Sequence, residues 1–398
     1  MAEPVVYLKP RRAKPFFLRH PWVFSGAVGR VEGSPEKGGV VIVRDADGRF
    51  IARGFYNATS QIIVRLMSWL PDEALDDAFL ARRLDAALRL RSDVLRLPDR
   101  TSAYRLLFSE SDGLPGLIVD RYGDWLVTQF LTAGMSARRE PLLNMLQERL
   151  SPRGIFNRSD DEAGEKEGME VPHGALRGEA PPEALEITTD GMKFLVDMAG
   201  GQKTGFFLDQ RENRSAAAGY LRGRSVLDLF CYTGAFSVAA VKLGGAGPVL
   251  ALDRSAPALE LARKNFELNG IAGVETREAQ ASEAARALRR ENRRFGAVII
   301  DPPKFARSGS GVERALRAYR DLNLQAVNLL EDDGILVTCS CSGHVAPEQF
   351  FQMLNESAGE AGAALQILER RGQSPDHPVI ASCPETAYLK CFICRVVR

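Results

Sequence analysis

Four short apolar runs, at residues 225–230, 248–252, 296–300 and 334–338, alternate with helix-periodic stretches near 235–243, 256–269 and 312–330. Strands that are apolar along their whole length need cover on both faces, and a strand, a helix and a second strand in succession pair in parallel. The second half of the chain therefore predicts a doubly wound sheet of the α/β class. Such sheets bind ligands beyond the carboxyl ends of their strands, near the point where strand order reverses. The residues just after each run are thus where chemistry should be sought.

The first half reads differently. Between Val5 and Leu70 the runs are short, β-rich and broken by turns, with Asp47-Gly48 as a hairpin signal. A small all-β barrel is expected at residues 1–71. From Glu73 to Leu97 the period becomes helical, and strands around Leu106–Phe108 and Trp125–Phe130 precede a second helix through Leu142, Leu143, Leu146 and Leu150. An α+β middle domain is expected over 72–184. The Leu-rich helices could pack internally or against a second copy, so a homodimer is among the assemblies the sequence allows. The last domain spans 185–398 and opens on the hairpin signal Asp190-Gly191.

Charge separates these regions more sharply than apolarity does. Residues 1–71 hold eleven Lys/Arg against five acids, a net +6, whereas 160–183 hold eight acids against Lys166 and Arg177, a net −6. The acidic stretch, interspersed with Gly and Pro, reads as a solvated connection and the one plausible place for disorder. No apolar run is long enough to span a bilayer, and no signal-peptide pattern opens the chain, which points to no membrane partner and a cytoplasmic location. The six cysteines lie between positions 231 and 394 and do not form the dense framework of a secreted protein. The four histidines are too dispersed to argue for a metal.

The first strand end reads Asp228-Leu229-Phe230-Cys231-Tyr232-Thr233-Gly234, with a single glycine opening the next helix. A dinucleotide site would want G-x-G-x-x-G, because glycines let the backbone approach a pyrophosphate. That phosphate nest is missing. S-adenosyl-L-methionine carries an amino group, a sulfonium and a ribose but no phosphate, and a carboxylate beside one glycine suits it. Asp228 is expected near its amino-acid moiety, with Phe230, Tyr232, Thr233 and Gly234 around it. Asp253, followed by Arg254, stands where an acid accepts hydrogen bonds from ribose hydroxyls. Asp301-Pro302-Pro303-Lys304-Phe305 follows the third run, and its prolines force the chain to turn and present Asp301. The fourth run ends in Cys339-Ser340-Cys341-Ser342, and either thiol could face the same pocket. Cys391 and Cys394, three apart in a terminal strand, read as core residues on opposite faces.

Taken together these residues resemble RlmI-like enzymes, bacterial methyltransferases that make 5-methylcytosine in large-subunit ribosomal RNA. The resemblance runs through essentially the whole chain. It rests on His20-Pro21-Trp22-Val23-Phe24, on residues 201–211 (GQKTGFFLDQR), on Asp228 to Phe236, on Asp301 to Phe305, and on Ser340-Cys341-Ser342. It implies an N-terminal PUA RNA-binding domain, a middle domain and a Rossmann-like methyltransferase. It implies further that residues 202–211, Gln210 among them, cover the cofactor and the reacting base. Where family members carry an acid for the adenine amino group this chain reads Glu278-Ala279-Gln280, so Gln280 or Glu278 would serve.

The resemblance also implies a mechanism. Carbon 5 of cytosine is a poor nucleophile until a thiolate adds at carbon 6. The matching triplet assigns that thiolate to Cys341, with Cys339 as competitor, and Asp301 holds the base. A modifying half of this kind gives the basic segment a purpose, and Lys9, Arg11, Arg12, Lys14 and Arg19 are expected to contact ribosomal RNA. Two other readings are kept: an N-methyltransferase acting on a purine in ribosomal RNA, which needs no cysteine, and a non-catalytic RNA-binding assembly factor.

Overall fold

Val6, Leu8, Val41, Val43, Ile51, Val64 and Leu66 are buried while most of their strand neighbours are not, so the N-terminal strands turn one face inward. The computed structural model describes residues 3–159, 161–306 and 308–398. The first two residues of the expected 1–71 domain, and Asp160 at the start of the acidic stretch, lie outside the described residues. Contacts divide the chain into two compact units. One comprises residues 1–187, 196–208 and 375–386, the other 188–195, 209–374 and 387–398.

In the first unit, β1 (Val5–Leu8), β2 (Trp22–Phe24), β3 (Val28–Glu32), β4 (Val40–Arg44), β5 (Phe50–Tyr56) and β6 (Ile62–Ser68) pair in the order β2-β6-β5-β4-β1-β3. All pairs are antiparallel except β1 with β4. The Asp47-Gly48 turn closes β4 onto β5 as expected, with Asp45 accepting from the Asp47 and Arg49 amides. The helix expected from Glu73 begins instead at Asp77, because the Asp76 carboxylate accepts from the Phe79 amide and caps it there. A second sheet, β7 (Ala103–Phe108), β8 (Leu117–Tyr122), β9 (Trp125–Phe130), β10 (Gly154–Arg158) and β11 (His173–Gly178), has the order β11-β10-β9-β8-β7. Leu142, Leu143 and Leu146 of the helix Arg139–Leu150 are buried in the core of this unit, so the Leu-rich helix packs internally.

The acidic stretch corrects its expectation. Residues Asp161–Glu167 form a helix, and β11 pairs antiparallel with β10. Glu167 is buried, accepts from Asn57 Nδ2 at 2.9 Å and from the Ala133 amide at 3.1 Å, and pairs with Arg65 at 3.0 Å. A charge count gives the sign of such a segment and not its partners, which here lie far along the chain.

A hairpin of β12 (Leu185–Thr189) and β13 (Met192–Val196) turns at Asp190-Gly191, both residues left-handed. The second unit then builds a seven-stranded sheet from β14 (Val226–Asp228), β15 (Val249–Asp253), β16 (Glu275–Glu278), β17 (Phe295–Ile300), β18 (Leu330–Ser340), β19 (Ala364–Arg371) and β20 (Lys390–Val397). Their order is β16-β15-β14-β17-β18-β20-β19. The five strands from β16 to β18 are parallel, and β20 runs antiparallel to both β18 and β19. Strand order reverses at β14, which places the switch point beside β17. Cys391 and Cys394 pack into two different core clusters, the opposite-face arrangement that their spacing predicts.

Candidate active site

The carboxyl ends of β16, β15, β14, β17 and β18 follow one another along the sheet, and each carries a residue singled out above. Gln280 begins the helix Ala281–Arg290 after β16, Asp253 and Arg254 close β15, and Asp228 closes β14. Asp301 and Pro302 follow β17 directly, and Cys341 follows β18. Glu278 is paired in register with Asp253, so the two acids end adjacent strands. Gln280 and Arg254 are exposed, whereas Gln210 is buried at the start of the helix Arg211–Ala218 and accepts from Asn213 Nδ2 at 2.6 Å.

The loop after β14 is shaped by two left-handed residues. Tyr232 has φ 49° and Gly234 φ 80°, and a Cβ at Gly234 would lie 2.9 Å from the Phe266 ring. Glycine is therefore required for the helix Ala235–Lys242 to start there. Asn265 Nδ2 donates to the Thr233 carbonyl, and the Asp253 carboxylate accepts from the Tyr232 and Ser255 amides, each at 2.9 Å. A carboxylate offers about four acceptor positions, so Asp253 retains capacity for ribose hydroxyls.

Asp228 is buried, and Ser237 Oγ donates to its Oδ2 at 2.8 Å. Burial pushes its pKa up to about 7 against the Ser237 hydrogen bond, with Asp301 and Asp253 adding to the rise. Its Oδ1 and the Thr233 hydroxyl are buried with no hydrogen-bond partner among the described residues. Three neighbouring carboxylates and unsatisfied buried oxygens fit a ligand that brings a cation and hydrogen-bond donors. S-adenosyl-L-methionine is such a ligand.

Of the residues that complete this region Arg214 gave no sequence signal, whereas Asp209 and Ser342 lie in segments that carry the resemblance but had no role assigned. Arg214 is buried, and burial lowers its pKa to about 10 although Asp301, Asp209 and Asp228 are its charge neighbours. Asp209 accepts from Tyr388 Oη at 2.6 Å. Ser342 Oγ accepts from the Ala306 amide and lies 3.1 Å from Tyr319 Oη, which ties the loop after β17 to that after β18. The helix Arg211–Ala218 looks solvent-facing by hydropathy, and only the i, i+3 spacing of Arg211 and Arg214 beside Asp209 hints at a buried polar face.

The thiols differ sharply. None of the six is in a disulfide. Cys339 is fully buried opposite Cys391, and the hydrogen bond between them, together with burial, pushes its thiol well up. Burial also pushes Cys231 well up and Cys394 up to about 12. Cys341 lies beyond the end of β18 and is half-buried. The expected RNA-contacting set, Lys9, Arg11, Arg12, Lys14 and Arg19, belongs to the first unit and is exposed throughout. In that unit His20, Cys383 and Glu385 also converge, with His20 Nε2 and Cys383 Sγ 3.4 and 3.5 Å from Glu385 Oε2. His20 Nδ1 accepts from the Trp22 amide, which puts the ring proton on Nε2, toward Glu385. The trio thus has the proton count of a hydrogen-bonded cluster.

Comparison with known proteins gives a consistent set. The S-adenosylmethionine-dependent methyltransferase family matches residues 172–395, and a PUA-like domain matches residues 6–69. The ribosomal RNA large subunit methyltransferase I of Erwinia tasmaniensis is 44% identical over 389 residues, covering 97% of this chain and 98% of that protein. The enzyme of the same name from Escherichia coli is 42% identical over 388 residues, with the same coverage. Among solved structures, a methyltransferase named SMU.776 in complex with SAH superposes with a TM-score of 0.85 at 22% identity, covering 99% of this chain and all of that one. A SAM-dependent methyltransferase from Streptococcus mutans gives 0.83 at 21%, covering 98% and 99%. At these identities the two structures speak to the fold.

Proposed function

The chain belongs to the ribosomal RNA large subunit methyltransferase I family of S-adenosylmethionine-dependent methyltransferases, and on that premise we propose that it forms 5-methylcytosine in large-subunit ribosomal RNA through a covalent adduct with Cys341. The observation that carries the reading is the succession of Asp228, Asp301 and a half-buried Cys341 at the ends of three adjacent parallel strands. Bound S-adenosyl-L-methionine supplies an electrophilic methyl group on a sulfonium. Asp228 would hold its ammonium group and Asp253 its ribose, while Phe230, Tyr232, Thr233, Gly234, Arg254, Gln280, Pro302 and Gln210 would complete its surroundings.

Cys341 adds to carbon 6 of the cytosine as a thiolate. The new S–C bond uses the sulfur lone pair, the electrons of the C5–C6 double bond move toward ring nitrogen 3, and Asp301 assists protonation there. Carbon 5 is now enamine-like and takes the methyl group. Loss of the carbon-5 proton, cleavage of the C–S bond with its electron pair staying on sulfur, and return of the nitrogen-3 proton toward Asp301 restore the double bond and free Cys341. The core position of Cys339 and its raised pKa argue for Cys341 as nucleophile. The target base must leave its stack to reach such a site. We further assign residues 1–71 to a PUA-like RNA-binding domain, 72–184 to a middle domain and 185–398 to the methyltransferase, acting in the cytoplasm.

RNA carrying 5-fluorocytidine traps the adduct, because fluorine at carbon 5 blocks the proton loss that releases the thiol. We expect an SDS-stable adduct with the wild type that disappears in Cys341→Ala and persists in Cys339→Ala. The reverse pattern would move the nucleophile to Cys339. Mass spectrometry of product nucleosides should show 5-methylcytidine; a methylated purine would replace the cytosine assignment.

A further inference from the structure

Lys390 is a lysine with only 6% of its surface exposed, and the mechanism above gives it no part. It opens β20 and is paired in register with Ser340, the last residue of β18. Its Nζ donates to the Ser342 carbonyl at 2.6 Å and to the Tyr388 carbonyl at 3.0 Å. Only Cys341 lies between Ser340 and Ser342. Lys390 therefore grips the chain on both sides of the thiol, by strand pairing before it and by its ammonium after it. The same Ser342 carbonyl accepts from the Val345 amide, so the turn beyond Cys341 closes on the atom that Lys390 holds.

An ammonium has three donors, and two are given to carbonyls. Burial lowers the Lys390 pKa to about 8, Cys341 draws it up, and Lys304 draws it down. Lysine and thiol are thus electrostatic neighbours, and what a thiolate does for the ammonium the ammonium does for the thiolate. Among the described residues, Lys304 and Asp301 on the loop after β17 and Tyr319 on the helix Val312–Leu329 also bear on this region. Asp301 and Cys341 are both charge neighbours of Tyr319, and a carboxylate there would oppose a sulfur anion that the Lys390 ammonium favours.

We propose that Lys390 is a positioning residue for Cys341, fixing the turn that carries it and holding its sulfur as the thiolate that attacks the base. On ionisation the S–H bond breaks, the electron pair stays on sulfur and the proton passes to solvent, while Lys390 keeps its own protons. The role rests on the reading of Cys341 as nucleophile.

The test is the rate at which iodoacetamide alkylates Cys341 in the full chain at pH 7, read by peptide mass spectrometry. Lys390→Gln keeps a donor for the Ser342 carbonyl and removes the charge; Lys390→Arg keeps the charge. Removing a neighbouring opposite charge shifts a pKa by about one unit or more, so Lys390→Gln should slow alkylation about tenfold, with Lys390→Arg within about threefold of the wild type. Methyl transfer should lose kcat in the Gln variant with little change in KM for S-adenosyl-L-methionine. Equal alkylation rates in wild type and Lys390→Gln, or an Arg variant as slow as Gln, would overturn the proposal. Should the Gln variant fail to fold, the wild-type pH profile decides: a Cys341 inflection at or above that of the thiols in the urea-unfolded chain rejects the role. Full methyl transfer by Cys341→Ala, with alkylation still slowed by Lys390→Gln, would remove the nucleophile and leave the lysine–thiol pairing standing.

Discussion

Asp228 holds a carboxyl group in the core with one oxygen bound by Ser237, and burial pushes its pKa up to about 7 from an ordinary 3.8. Between those two values the folded chain keeps a proton that the unfolded chain has lost. Stability therefore falls as pH rises through this window and levels off above it. Asp228→Asn removes the burden, so the ligand-free variant should melt higher than the wild type at pH 8, by an amount on the order of a few kcal/mol, and the gain should shrink toward pH 5. Cofactor binding should move the other way, because a cation favours the ionised carboxylate. Calorimetry should show wild-type affinity for S-adenosyl-L-methionine strengthening from pH 6 to 8, and Asp228→Asn binding about tenfold weaker with a flat profile. A variant that binds as tightly as wild type at pH 8 would remove Asp228 from the cofactor site. Asp228, Asp253 and Asp301 were legible because each ends an apolar run in a parallel sheet, where geometry turns position in sequence into position in space. Lys390 was not, since its relation to Cys341 is an antiparallel register that hydropathy does not encode.

At the scale of elements, the apolar runs predicted β14, β15, β17 and part of β18 within a few residues, because a strand covered on both faces has no other reading. Polar elements were harder. The stretch around Asp161–Glu167 reads as a solvated tether, yet Glu167 is buried and reaches Arg65, Asn57 and the Ala133 amide. Its pKa is lowered because Arg65 and these hydrogen bonds outweigh burial, which alone would raise it. A depressed carboxyl stabilises the fold above its unfolded pKa, and that contribution fades as pH drops through the folded value. Among the described residues, Glu167→Ala leaves Arg65 with the more distant Glu110, at 3.5 Å. Removing one partner of a buried ion pair costs about 3 to 5 kcal/mol, and we expect the lower end because Glu110 remains. Urea unfolding at pH 7 should show this loss, and it should diminish at pH 4. A change below about 0.5 kcal/mol would mean that the segment is a solvated tether after all.

Over the whole molecule the net charge of +1 conceals a basic beginning and an acidic middle, with +6 on residues 1–71 and −6 on 160–183. Part of that acidity is spent inside the fold, since Glu167 neutralises Arg65. Five basic side chains of the opening face solvent instead: Lys9, Arg11, Arg12, Lys14 and Arg19 are all exposed, and Phe17, Leu18 and Phe24 are exposed among them. Cations interleaved with exposed aromatic rings suit a nucleic-acid backbone and its unstacked bases. Each phosphate neutralised contributes about 0.7 to the salt slope of single-stranded binding. Replacing all five cations by alanine should therefore flatten the slope of log K against log salt by about 3 to 4 if every one meets a phosphate. Fluorescence anisotropy with a ribosomal RNA fragment between 50 and 200 mM salt reads this directly. An unchanged slope would exclude the opening segment from the RNA interface. A flattened slope accompanied by loss of methyl transfer at 200 mM salt, recovered at 50 mM, would show that this unit holds the substrate while the sheet ends of the other carry out the chemistry.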